Sequence, residues 1–139
     1  MAIFQKYAAF IDQISSGGHN LKTDTIKCAL TNTAPSAGSD NNVSSYPPPS
    51  AASGYPAGGN TLTTTSAGMA GAVFVLKLAD SVFTASGGSI GPFRYVILYD
   101  ATAGGKLIGF YDYGSSITLN DTDNFTCDFD DVTGALTVS

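Results

Sequence analysis

The chain has 139 residues and is weakly charged, with six Lys plus Arg, eleven acidic residues and a formal net charge of -5. Because the cations are scattered singly, no basic stripe could displace counterions from a phosphate backbone, and the composition argues against direct nucleic-acid binding. The length suits a single domain, residues 1–139, and the abundance of Gly, Ser and Thr favours short strands joined by turns.

Residues 1–18 are predicted to form a short amphipathic helix or an arm. Apolar side chains recur at helical spacing at Ile3, Phe4, Tyr7, Ile11 and Ile14. A helix this short is marginal in water unless its apolar face is buried, so an arm that docks on a neighbouring subunit is the alternative. The start lacks the pattern of a secretory signal, and no run approaches the length of a membrane span, so we expect no general export and no membrane partner.

His19 is the only histidine, and we expect it to be a hydrogen-bonded turn residue. It has no second histidine or cysteine close enough in sequence to make a metal-ligand spacing. Ser15, Ser16 and Asp24 lie nearby, but in a Gly-rich loop without a nucleophile elbow. The sequence therefore predicts no catalytic site, no metal, no cofactor and no enzymatic activity.

Thr25–Thr31 is the first predicted strand, and a long loop follows it at residues 32–60. The loop is rich in Pro, Gly, Ser, Ala and Asn, and only Val43, Tyr46 and Tyr55 are sizeable. Pro47, Pro48 and Pro49 have no backbone donors and cannot lie within a sheet. Loops of this length are either functional or mobile, so the segment is an excursion onto a neighbouring molecule anchored by its tyrosines, or else a mobile surface loop.

A hairpin formed by Phe93–Tyr99 and Lys106–Tyr113 is predicted at the centre of the fold, with a loop at residues 100–105. Both runs carry apolar residues on both faces, as in the middle strands of a sandwich. Gly109 leaves room for a bulky cross-strand neighbour or a bulge. Further strands are predicted at Thr61–Ser66, Gly71–Ala79, Ser81–Ala85, Ser116–Leu119, Phe125–Phe129 and Gly134–Ser139. The fold class is therefore all-β, an antiparallel β-sandwich that is jelly-roll-like.

Two smaller groups of residues leave alternatives open. Cys28 and Cys127 lie in apolar strand patterns and could pair if their strands are adjacent, although buried free thiols are the commoner outcome in a chain made in the cytosol. The acidic group of Asp121, Asp123, Asp128, Asp130 and Asp131 has the alternating oxygens of a calcium loop. It lacks the glycine and bidentate glutamate of an EF-hand, so we interpret it as polar turns.

Four stretches together resemble a known family. They are residues 19–35 (HNLKTDTIKCALTNTAP), Gly58-Gly59 with Thr61–Ser66, residues 88–99 (GSIGPFRYVILY) and residues 107–116 (LIGFYDYGSS). They resemble small virion structural proteins of tailed bacteriophages, of the capsid decoration or cement type. The resemblance covers nearly the whole chain.

The resemblance implies a homo-oligomeric β-sandwich, made in the bacterial host cytoplasm, that binds the major capsid protein on the capsid exterior and stabilises the shell. Its expected partner contacts are Ile3, Phe4, Tyr7, Tyr46, Pro47, Pro48, Pro49 and Tyr55. A tail or baseplate subunit is one alternative. A carbohydrate-binding module is another, and it would need Tyr95, Tyr99, Tyr111 and Tyr113 exposed on one sheet face.

Overall fold

A computed structural model describes residues 3–49 and 53–138, and antiparallel strands are the main regular secondary structure in this part of the chain. The elements are β1 (Ile3–Lys6), α1 (Ala8–Ser15), β2 (Ile26–Thr31), β3 (Asn60–Thr61), β4 (Thr64–Ala70), β5 (Val73–Leu78), β6 (Ser81–Thr84), β7 (Ile90–Asp100), β8 (Lys106–Leu119), β9 (Asn124–Cys127) and β10 (Leu136–Val138). The all-β class and the short N-terminal helix are confirmed. Among the described residues, no helix has the length and apolar character needed to cross a bilayer.

The predicted hairpin is confirmed and lies at the centre of the largest sheet, whose strand order is β1-β8-β7-β2-β3. Asp100 pairs with Lys106, so the loop covers residues 101–105. Two smaller sheets, β10-β5-β4 and β6-β9, complete the strands. The segment predicted as a separate strand, Ser116–Leu119, is instead the end of β8. It stays paired with β7 beyond a large bulge that contains Gly114 (φ +84°).

Both faces of the hairpin are covered, which explains why both are apolar. On one face the ring of Tyr111 lies 6.2 Å from that of Phe129, which follows β9. On the other face the ring of Phe110 lies 5.2 Å from that of Tyr7, and Tyr99 Oη donates to the carbonyl oxygen of Gly58 at 2.6 Å. Strands therefore cover one face, and the residue before α1 and the long loop cover the other.

The helix predicted from Ile3 begins only at Ala8, because residues 3–6 pair with β8 as an edge strand. Phe4 lies opposite Tyr111 in this pairing. The predicted apolar stripe is also wrong in detail, because Phe10 is the buried side chain of α1 and Ile11 is exposed. Hydrogen bonding to the open edge of β8 overrides the helical spacing, since a helix this short has little stability of its own.

The loop at residues 32–60 is joined to the hairpin turn near its middle. It contains a 3₁₀ turn at Val43–Ser45, and Asn42 forms an isolated β-bridge with Lys106 at the hairpin turn. Val43 N donates to the carbonyl oxygen of Gly105 at 2.9 Å. The predicted strand Thr61–Ser66 is divided between β3 and β4, and β4 continues to Ala70.

Candidate functional site

The N-terminal contact candidates belong largely to the packing of this chain itself. Phe4 is half-buried, and its ring lies 5.2 Å from that of Tyr111. Tyr7 is fully buried, and its hydroxyl lies 2.9 Å from that of Tyr46. Ile3 pairs with Asp112 in β1, but its side chain lies outside the described residues.

The tyrosines of the long loop also point into the chain's own fold. Tyr46 is buried, and its hydroxyl donates to Asp40 Oδ2. Tyr55 Oη accepts a hydrogen bond of 3.0 Å from Leu30 N, and its ring stacks on Phe83 at 5.6 Å. Burial raises the pKa of Tyr55 to about 12, so its hydroxyl stays protonated at neutral pH. These rings fasten the loop to the sheet.

The proline segment contains the exposed members of the predicted contact set, among those whose side chains the structure describes. Pro47 and Pro48 are exposed, whereas Pro49 is buried. The carbonyl oxygen of Pro47 accepts a hydrogen bond of 3.1 Å from Thr31 Oγ1, which fixes the segment beside the end of β2. As predicted, none of the three prolines lies within a strand.

The only histidine lies in a buried polar cluster. His19 Nδ1 and Asp100 Oδ2 are 3.0 Å apart, and both side chains have 0% of their surface exposed. The ring of Phe10 packs 5.2 Å from that of His19. Burial, with the Asp24 carboxylate beside it, raises the pKa of Asp100, and the hydrogen bond from Asp100 lowers the pKa of Asp24. Of these two carboxyl groups, Asp100 is therefore the one whose protonated form is favoured.

This cluster joins the segment after α1 to the tip of the hairpin. Asp100 Oδ1 also accepts from Ala103 N at 3.0 Å, so the same carboxyl group stabilises the hairpin turn. The hydroxyls of Ser15 and Ser16 donate to carbonyl oxygens of their own helix. Within the described residues no hydrogen bond joins either serine to His19, so the geometry supplies no activated nucleophile.

A cleft of about 440 Å³ lies beside the histidine, where the segment after α1 faces β5 and β10. Ile14, Leu21, Phe74 and Val138 line it together with His19 and Lys22. His19 Nε2 is buried and has no hydrogen-bond partner among the described residues. The walls are mainly apolar, and Lys22 is the cationic residue that lines the cleft.

Asp123 and Asp130 near the C-terminus accept hydrogen bonds from backbone amides of their own turns, as predicted, whereas Asp121 accepts one from a distant segment. Asp130 Oδ1 accepts hydrogen bonds from Val132 N and Thr133 N at 2.8 and 2.9 Å. Asp121 Oδ1 accepts from Gly87 N, and Asp123 Oδ2 accepts from Asn120 N. In the part of the chain that the structure describes, no group of three or more His, Cys, Asp or Glu side chains is placed to hold a metal ion.

An open strand edge is a surface feature that was not predicted from the sequence. Among the described residues β4 is the last strand of its sheet, so one side of its backbone has no neighbouring strand there. Its bulge lies between Thr64 and Ser66, and the pairing from Ala67 to Ala70 is regular. Met69 has 66% of its surface exposed on this strand. A signal for this edge was present in the sequence, because residues 41–76 contain no Asp, Glu, Lys, Arg or His.

Comparison with known proteins identifies no relative of this chain: no family model, no curated protein and no solved structure matches it.

Proposed function

We propose that this chain is a structural protein of a tailed-phage virion that binds the outer capsid surface and stabilises the assembled shell as a decoration protein. Its partners are the major capsid protein and further copies of itself. The proposed family is inferred from the four stretches of sequence that resemble decoration proteins. A tail or baseplate subunit is the alternative within the same class, and it differs in the number of copies in each particle.

The main structural support for a function in assembly is the open edge of β4. Exposed edge strands are usually protected from pairing with other chains by charged residues, prolines or bulges. β4 has no charged residue or proline, and its bulge lies at one end. The regular part, Ala67 to Ala70, therefore offers main-chain donors and acceptors to a strand of a partner.

The side chains around this edge suit close packing against another protein. They are small or neutral, and Met69 is a flexible apolar side chain that adapts to irregular surfaces. A protein that binds only the assembled shell stabilises that state by mass action, and many copies of a modest interface add their effects.

The carbohydrate-binding alternative lacks its required aromatic platform. Tyr95 and Tyr99 are buried. Tyr111 and Tyr113 are half-buried, and the ring of Tyr113 packs against that of Phe125 at 5.1 Å. Sheet packing therefore accounts for all four rings.

The direct test is quantitative mass spectrometry of purified particles of the phage that encodes this chain. A copy number equal to that of the major capsid protein, or a simple fraction of it, supports the proposal. A few copies to a few tens would place the chain in the tail, and absence from the particle would overturn a virion function.

A pair of variants tests the β4 edge itself. Met69→Lys places a charge on the open strand, and we expect it to lower the amount of protein bound to undecorated shells by at least about tenfold. Val132→Lys is the matched control, because Val132 is 79% exposed and lies outside β4. Equal binding by the two variants would exclude the β4 edge as the contact.

A further inference from the structure

The two cysteines lie in different sheets of the fold. Cys28 is in β2 of the five-stranded sheet, and Cys127 is the last residue of β9 in the two-stranded sheet. Both are free thiols and both are buried, with 0% and 1% of their surfaces exposed. The sequence predicts buried thiols here and leaves open whether they can pair.

Neighbouring strands bring the two thiols together. Cys28 pairs with Asn60 in β3, and Cys127 pairs with Ser81 in β6. Asn60 Nδ2 donates to Ser81 Oγ at 2.9 Å and to the carbonyl oxygen of Val82 at 3.0 Å, which joins the two sheets beside the cysteines. Each thiol is the largest influence on the pKa of the other, which places the two groups next to each other.

We propose that Cys28 and Cys127 are a redox-responsive pair that forms an intrachain disulfide between the two sheets under oxidising conditions. The inference is independent of the proposed function. It rests on the adjacency of the thiols, their placement on separate sheets and the paired strands that hold them.

The oxidant is a small-molecule disulfide such as oxidised glutathione. The thiolate of Cys28 attacks one sulfur of this disulfide, forms a mixed disulfide and releases one thiolate. The Cys127 thiolate then attacks the sulfur of Cys28, which forms the protein disulfide and releases the second thiolate. The protein loses two electrons and two protons, and the small-molecule disulfide is reduced to two thiols.

Burial disfavours the thiolate form of both cysteines. Because both sulfurs are covered, the reagent reaches them only when the sheets separate transiently. We therefore expect slow oxidation of the native protein and faster oxidation at denaturant concentrations just below unfolding.

The experiment compares the full chain after equilibration in oxidised and in reduced glutathione. Peptide mapping under non-reducing conditions is expected to recover one cross-linked peptide pair containing Cys28 and Cys127. The oxidised form is expected to unfold several degrees higher than the reduced form, with dithiothreitol reversing the shift, because a cross-link of this span restricts the unfolded chain.

Cys127→Ala provides the control, since it removes the partner thiol and should unfold at the same temperature in both buffers. If this variant does not fold, a glutathione redox titration of the unmodified chain still tests the proposal through the fraction of cross-linked peptide. Two thiols that stay free after unfolding and refolding in oxidised glutathione would overturn the inference. Intermolecular disulfides or stable mixed disulfides in place of the intrachain bond would overturn it as well.

Discussion

Gly109 shows how one residue fixes the position of the N-terminal strand. A Cβ atom at this position would collide with the ring of Phe4 and would lie 2.7 Å from the carbonyl oxygen of Gln5. We expect Gly109→Ala to lower the free energy of unfolding by about 1–3 kcal/mol, since overpacking forces side chains and backbone to shift. Denaturant unfolding followed by circular dichroism measures the change.

Phe4→Leu provides the test that this cost arises from the ring. The smaller side chain should reduce the penalty of Gly109→Ala, so the double variant should be more stable than the sum of the two single effects. Additive effects would show that the backbone contact with Gln5, and not the Phe4 ring, dominates.

Asp100 is expected to make stability depend on pH in an unusual direction. Its pKa is raised by burial and by Asp24, so the folded chain holds the proton more tightly than the unfolded chain. The stability contributed by this proton is present at pH values below the pKa of Asp100 in the unfolded chain. It is lost as the pH rises through the pKa of Asp100 in the folded chain. We expect the stability advantage of the native chain over Asp100→Asn to shrink as pH rises from acid towards neutral, measured by denaturant midpoints.

Asp112→Asn gives a control of opposite sign. The guanidinium of Arg94 donates to both carboxylate oxygens of Asp112, at 2.8 and 3.1 Å, and lowers its pKa. The stability from this carboxylate is present above its unfolded pKa and is lost as pH falls through the folded pKa. The stability advantage of the native chain over Asp112→Asn should therefore grow as pH rises. If this advantage and the advantage over Asp100→Asn changed with pH in the same direction, both assignments would be contradicted.

At the scale of elements, the long loop acts as a cover for the sheet. Tyr46 lies at its centre, where its hydroxyl contacts that of Tyr7 and donates to Asp40. Tyr46→Phe removes both hydrogen bonds from a buried site, and we expect a loss of about 1–3 kcal/mol in the free energy of unfolding. Hydrogen exchange should show faster exchange in the loop at residues 32–49, with β7 unaffected, and uniform protection would contradict the role of this hydroxyl.

The strands were predictable wherever their side-chain patterns are strong. The β7–β8 hairpin, β2 and β5 follow from runs of β-branched and aromatic residues. The bounds of β2, β5 and β7 lie within about three residues of those predicted, whereas β8 continues beyond the predicted end at Tyr113 to Leu119. β1 could not be predicted, because its four residues also fit a helical stripe and only the open edge of β8 decides between them.

The contacts of the buried polar groups and of the loop could not be predicted from the sequence, because the residues that meet are far apart in the chain. His19 meets Asp100, and Tyr7 meets Tyr46, through the tertiary fold alone. Size alone makes the tyrosines of the loop candidates for partner contacts. The sequence predicts two apolar faces for the hairpin, but it does not show that Tyr46 is buried and Tyr55 partly buried in the loop's packing on this fold.

At the scale of the whole molecule, the strand proposed as the contact has no charged residue of its own. The chain has a net charge of -5, yet residues 41–76, which include β4, carry none of it. An interface built from main-chain hydrogen bonds and neutral side chains is little affected by screening, whereas the repulsion between acidic copies weakens as salt is added. We expect binding to undecorated shells, measured by cosedimentation, to change by less than about threefold from low to high salt, with any change towards tighter binding. Binding that weakens steeply with salt would indicate a charged interface and would exclude the β4 edge as the main contact.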